Sequence, residues 1–237
     1  MDIIIVVVGL FILSVILTVY ACLLIFLRSW IFKQRLYKPM LLNIGLAWLP
    51  TVLIAGFLLI AFNIPNPTLG MTLIIVGLIL WLLAFPNAPY LITELNFSHR
   101  KKDDPVPLYF DIIQTLTLTS TGIFVGQFGL ILVHIMAILL IGSGYDSAGN
   151  LTIPGISWAI ILACIFLAAF AIYLGRHVRV YSWDVIHIPA FLKRLKTHLI
   201  DKKEWKMALG YTLTYGTFMA ILHVVLFGII QVLIKTQ

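Results

Sequence analysis

The stretch Leu69–Leu95, LGMTLIIVGLILWLLAFPNAPYLITEL, decides how the chain is read. Leu69 to Ala84 is a hydrophobic run of the kind that crosses a bilayer, and it ends in Phe-Pro-Asn-Ala-Pro. Pro86 and Pro89 each lack a backbone N–H, and each ring clashes with the carbonyl four residues back, at Leu82 and Phe85. Backbone released in this way at membrane depth persists only where protein or a water-lined cavity satisfies it. Asn87, whose amide both donates and accepts, is placed to help. Two readings follow: a broken helix end that builds a ligand site, or prolines that terminate a helix at the headgroups. The stretch alone does not choose between them.

Composition agrees with a membrane solvent. The 237 residues are 62% hydrophobic and 11% charged, with a mean hydropathy of +1.08, whereas soluble domains carry about a quarter charged residues. Such a chain cannot cover itself with polar surface in water. Reading for apolar runs of roughly 20 residues predicts an all-α, polytopic bundle of six spans. They are Ile3–Leu27, Met40–Phe62, Leu69–Ile92, Ile112–Ile141, Ile156–Gly175 and Met207–Ile234, within a single transmembrane domain over 1–237. The first run starts with Asp2 and is longer than a signal-peptide core of 7–15 residues. It is therefore read as a span.

Basic residues set the orientation. Arg28, Lys33, Arg35 and Lys38 follow span one, and Arg100, Lys101 and Lys102 follow span three. Arg176, Arg179, Lys193, Arg194, Lys196, Lys202, Lys203 and Lys206 follow span five, leaving only Lys235 on the other side. The positive-inside rule makes the rich side cytoplasmic and places both termini outside. The net charge of +7 is then accounted for by topology and anionic headgroups, with no role for nucleic acid. Cys22 and Cys164 lie within spans and read as small apolar fillers, not as a disulfide framework.

The molecule reads as three hairpins closed on the cytoplasmic side, with no internal repeat. The outer connections, Asn63–Thr68 and Gly142–Asn150, are turn-rich. Between spans five and six, Pro189 can open a helix. Phe191, Leu192, Leu195 and Leu199 then recur at helical spacing, with Lys193, Arg194, Lys196 and His198 on the other face. This pattern predicts an amphipathic interfacial helix whose basic residues meet anionic headgroups.

Polar residues gather on the cytoplasmic side. Glu94 follows the proline break, and Asp111 opens span four ahead of Gln-Thr-Leu-Thr-Leu-Thr-Ser-Thr at 114–121. Asp111, Thr115 and Thr119 share a face, although such hydroxyls can also bond their own backbone. Gly122 with Gly126, and Gly216 with Ala220, suit close helix contact. His134 and His223 both fall in the outer halves of their spans and are expected to face one another. The second dense motif, Gly175-Arg-His-Val-Arg-Val-Tyr-Ser-Trp-Asp-Val, leaves span five at headgroup depth. Arg176 and Arg179 can hold a phosphate or pair with acids, and Asp184 suits the first turn of a short helix. The candidate ligand-binding set is Asn87, Glu94, Asp111, Arg176 and Asp184.

These blocks carry a resemblance. FPNAPYLITEL, then PLYFDIIQTL with a later Leu-Val-His at 132–134, then YLGR and YSWDV at 173–176 and 181–185, resemble the bacterial membrane-protein family catalogued as domain of unknown function 1361. The likeness runs from roughly Leu69 to His223. Family members often carry aspartate where this chain has Glu94, which keeps the charge. The resemblance implies a multi-pass protein of a bacterial cytoplasmic membrane and no particular activity.

Three functions remain open. A small-molecule binding or transport component would line a pocket with the five polar residues, and its six spans without a repeat call for a partner or a homo-oligomer. An enzyme on a lipid or lipid-linked substrate would hold a divalent ion and a phosphate with the same acids and arginine. There is, however, no phosphate-binding Walker loop, H-E-x-x-H or nucleophile elbow, and any cofactor stays unassigned. An accessory protein would use the polar cluster only to staple hairpins together. Binding or transport is the favoured reading.

Overall fold

The computed structural model describes residues 2–95, 105–142, 144–145, 151–178 and 188–235. Seven α-helices follow one another: α1 (Asp2–Ile31), α2 (Lys38–Asn63), α3 (Pro67–Ala84), α4 (Leu108–Ile141), α5 (Gly155–Tyr173), α6 (Ile188–Leu199) and α7 (Lys202–Lys235). Six stretches are long and apolar enough to cross a membrane: Ile5–Ile31, Lys38–Asn63, Pro67–Leu95, Leu108–Ile141, Gly155–Val178 and Lys202–Val232. The protein is a multi-pass membrane protein. Several helices extend beyond the apolar runs, because backbone hydrogen bonding does not stop at the first charge. α1 carries Arg28, α4 begins before Asp111, and α7 includes Lys202, Lys203 and Lys206. Between α4 and α5 the chain forms a two-residue antiparallel pairing, Gly144 with Thr152 and Tyr145 with Leu151.

The proline stretch leaves α-geometry where the missing donors require it. α3 ends at Ala84, and the chain continues as 3-10 turns over Phe85–Asn87 and Pro89–Leu95. A single buried proline behaves differently: α2 runs straight through Pro50. One lost donor can be absorbed by a helix, whereas two prolines three residues apart remove support from consecutive turns. At the start of α3, Asn66 Oδ1 accepts the N–H groups of Thr68 and Leu69 at 3.0 and 3.2 Å, an N-cap followed by proline at the first helical position.

Two compact units divide the chain. The first comprises 1–81 and 87–129, the second 82–86 and 130–237. In the first unit, Ala21 and Ile25 of α1, Ile44 and Ala47 of α2, Ala88 between the two 3-10 turns and Leu91 in the second, and Leu118 and Val125 of α4 form one buried cluster. Gly122 lies on that same face of α4. A Cβ built there would stand 2.5 Å from the Ala88 carbonyl oxygen and 2.6 Å from Leu91 Cβ. Only glycine lets the helix approach the broken segment this closely, and its Cα–H groups meet the Ala88 carbonyl, which also accepts the Leu91 N–H at 3.4 Å. Arg28 Nε bonds Asp111 Oδ1 at 3.1 Å, tying α1 to α4. Trp48 Nε1 donates to Thr18 Oγ1 at 3.0 Å, tying α2 to α1.

In the second unit α5 packs along α7. Gly216 of α7 takes the ring of Phe166, which a Cβ would meet at 2.4 Å. The last turn of α5 widens into a π-helical turn over Leu174–Val178. Phe191, Leu195 and Leu199 of α6 pack against Tyr173, Leu174 and Ala208. The apolar stripe of the amphipathic helix is thus spent on the protein, and Leu192 and Ile200 remain exposed beside its basic residues.

Candidate functional site

Of the five residues singled out in the sequence, three lie in the first unit. Asn87 sits half-buried in the 3-10 turn between the two prolines. Glu94 accepts from Asn43 Nδ2 of α2 at 3.1 Å. Asp111, 9% exposed, is held by Arg28 of α1. The two acids are therefore engaged by different helices, and each joins a pair of elements. Arg176 lies in the second unit, on the π-helical turn after α5. Asp184, with Arg179, Ser182 and Trp183, lies outside the described residues.

The hydroxyl-rich entry to α4 is partly self-satisfied, with Thr119 Oγ1 buried and without a partner among the described residues. Thr115 Oγ1 donates to the Asp111 carbonyl at 2.7 Å and Thr121 Oγ1 to the Thr117 carbonyl at 2.9 Å, the local back-bonding that polar side chains adopt in apolar helices. Gln114 is less well provided. Its Nε2 meets the Met40 sulfur at 3.3 Å, and its Oε1 is buried with no partner among the described residues.

The expectation for the two intramembrane histidines is met inside the second unit. His134 Nδ1 lies 3.1 Å from His223 Nε2, and His134 Nε2 lies 3.2 Å from Ser157 Oγ. Donor order follows from the far end of this chain. The Pro154 carbonyl can only accept, so Ser157 Oγ donates to it at 2.7 Å and must itself accept from His134 Nε2–H. His134 Nδ1 is then bare and accepts from His223 Nε2–H. Phe227 stacks on His134 with centroids 4.0 Å apart, and Trp158 meets it edge-on at 4.7 Å. All three hydrogen-bonding side chains are fully buried, and together they join α4, α5 and α7.

A second polar constellation of this unit lies where α5 ends and α6 meets α7. An open groove of about 870 Å³ is lined by His177, Val178, Lys193, Arg194, Thr197, His198, Asp201 and Glu204. At its edge, Tyr173 Oη is 2.9 Å from His198 Nε2, and His198 Nε2 is 3.3 Å from Glu204 Oε2. Tyr173 is fully buried and stacks on His177, with centroids 4.6 Å apart. Asp201 is occupied locally, since its Oδ1 caps α7 by accepting the Lys203 N–H at 2.8 Å. The acids are thus drawn towards the protein, while Lys193 and Arg194 stand exposed on the lining.

The sequence pattern assigns His198 to the basic, headgroup-facing side of the interfacial helix and gives Tyr173, His177 and Glu204 no role. Tyr173 and His177 are one turn apart, and Glu204 sits in the first turn of α7, so the raw signal was a tyrosine, two histidines and an acid bracketing a helical hairpin. What hid it was the intervening chain, because periodicity does not say which face of α6 folds back on α5.

The chain matches no curated protein and no solved structure. A family model described as Protein of unknown function (DUF1361) matches residues 42–233, which takes in α3 with its proline break, α4, α5 and the groove. With most of its length matched in this way, the chain belongs to that family.

Proposed function

We propose that this protein is a membrane-embedded binding component that takes an anionic, phosphate-bearing group in the groove between the end of α5, α6 and the start of α7. The observation that carries the reading is the groove itself, with Lys193 and Arg194 on its lining and its two acids engaged by the α7 N-terminus and by His198. Arginine and lysine side chains bind phosphate through charge-assisted hydrogen bonds. Thr197 and His177 add polar groups on the same lining. A π-helical turn beside the groove fits the same reading, because such widened turns recur at functional sites. With the basic side cytoplasmic, as the positive-inside rule has it, the groove opens towards the inner leaflet of a bacterial cytoplasmic membrane. A lipid headgroup and a soluble phosphate ester then present the same chemistry. In the first unit, the Arg28–Asp111 and Asn43–Glu94 pairs favour a stapling role for the acids at 94 and 111.

The test uses the full-length protein in nanodiscs. Inorganic phosphate is titrated into discs of zwitterionic lipid, and native mass spectrometry follows lipid retained from discs containing phosphatidylglycerol. Retention of the anionic lipid by wild type, lost in folded Lys193→Ala/Arg194→Ala protein, identifies a headgroup site. Saturable phosphate binding lost in the same variant identifies a soluble ligand. Wild type that retains neither above the level of the double variant removes the reading.

A further inference from the structure

We infer that Tyr173, His198 and Glu204 form a binding site for a divalent transition-metal ion on the edge of the groove, with the groove side left open for a further ligand. Three donor atoms come from three elements: the phenol from the last residue of α5, the imidazole from α6 and the carboxylate from the first turn of α7. The separations are 2.9 Å between Tyr173 Oη and His198 Nε2, 3.3 Å between His198 Nε2 and Glu204 Oε2, and 3.4 Å between Tyr173 Oη and Glu204 Oε2.

As a hydrogen-bonded cluster this triangle is made on one edge only, the 2.9 Å contact of Tyr173 Oη with His198 Nε2. One phenolic proton faces His198 Nε2, Glu204 Oε2 and the Glu204 carbonyl, the last at 3.3 Å. Both oxygen contacts are longer than the 2.5–3.0 Å of an O–H···O bond. His198 Nε2, with either one proton or one lone pair, faces two oxygens at once.

As one face of a coordination shell the triangle is well made. Ligands bound at about 2.0–2.2 Å stand roughly 3.3 Å apart around a tetrahedral ion and about 3.0 Å apart around an octahedral one. The observed edges span that range. Among the described residues no three His, Cys, Asp or Glu side chains converge on a metal position; here tyrosine supplies the third donor. Three protein ligands with an open position is also the arrangement of catalytic rather than structural zinc.

The surroundings suit the role. Tyr173 is packed among Leu174, Ala208 and Tyr211 and stacked on His177, which fixes its ring. His198 and Glu204 are about a fifth and a quarter exposed, so an ion can reach them from the groove. The inference does not depend on what else the groove binds.

The experiment uses the full-length protein in nanodiscs, stripped with chelator and titrated with Co²⁺ as a visible probe. Wild type is expected to take up one equivalent, with ligand-field absorption of a low-coordinate N/O site that Zn²⁺ abolishes. Tyr173→Phe, which keeps the buried ring, and Glu204→Gln, which keeps the shape, should each weaken Co²⁺ binding at least about tenfold. Metal-free melting of the same samples shows whether each variant is folded, and at least one of the two must be for the comparison. No stoichiometric uptake by wild type, or equal uptake by a folded variant, overturns the site.

Discussion

Gly122→Ala tests the contact on which the first unit closes. The added Cβ would sit 2.5 Å from the Ala88 carbonyl oxygen and 2.6 Å from Leu91 Cβ, so relief requires the two elements to separate by about 1 Å. Neither atom can swing aside, since one is backbone and the other begins a fully buried side chain. Overpacking of this kind costs about 1–3 kcal/mol. Alanine's helix preference over glycine returns about 1 kcal/mol, leaving a net loss of about 0–2 kcal/mol. Gly45 of α2 supplies the control, because a Cβ there meets nothing within 4 Å. Gly45→Ala should keep the whole propensity gain, so the two variants should differ by the overpacking cost, about 1–3 kcal/mol. Reversible unfolding in mixed micelles, read by tryptophan fluorescence, measures both. Should Gly122→Ala prove as stable as Gly45→Ala, the close approach of α4 to the broken segment is refuted.

Further outcomes separate stapling from binding. Glu94→Gln should change stability by less than about 0.5 kcal/mol, because the amide oxygen still accepts from Asn43, while Glu94→Ala should lose about 1 kcal/mol; equal losses in an unfolding assay would count against the pair. Asp111→Ala leaves Arg28 without its carboxylate at a partly buried position and should cost about 1–3 kcal/mol, with Arg28→Ala/Asp111→Ala milder than the two single losses added. A double-mutant cycle of His134→Ala and His223→Ala should return a coupling of about 0.6–1.7 kcal/mol, the range for hydrogen bonds between membrane helices. A value near zero would mean that the 3.1 Å contact contributes no coupling. Gly216→Ala should be gentler than Gly122→Ala, because the Phe166 ring can rotate away from the new methyl group.

Much of the polar wiring was only half legible. His134 and His223 were paired from their depth along straight helices, and this worked because α4 and α7 run without a break through both positions. Glu94 and Asp111 stand out in the sequence as candidate ligand-binding acids, yet their partners Asn43 and Arg28 lie on helices 51 and 83 residues away. No pattern local to the acids carries that information. Gly122 was recognised as a small residue suited to close packing, but its neighbour is a 3-10 segment, not a straight helix.

The sequence by itself determined that this chain lives in a bilayer, how many times it can cross, and where span three must abandon α-geometry. Each follows from local physics: the cost of charge and unpaired backbone in hydrocarbon, and the missing N–H of Pro86 and Pro89. Only the tertiary structure decided which face of α6 turns inward. Phe191, Leu195 and Leu199 make the stripe, but whether it meets lipid or protein depends on the hydrophobic floor offered by Tyr173, Leu174 and Ala208. Once the stripe docks there, His198 is carried to Tyr173 and Glu204, and Lys193 and Arg194 are left on the groove. Apolar burial is non-directional, so periodicity can announce a buried face without naming what buries it.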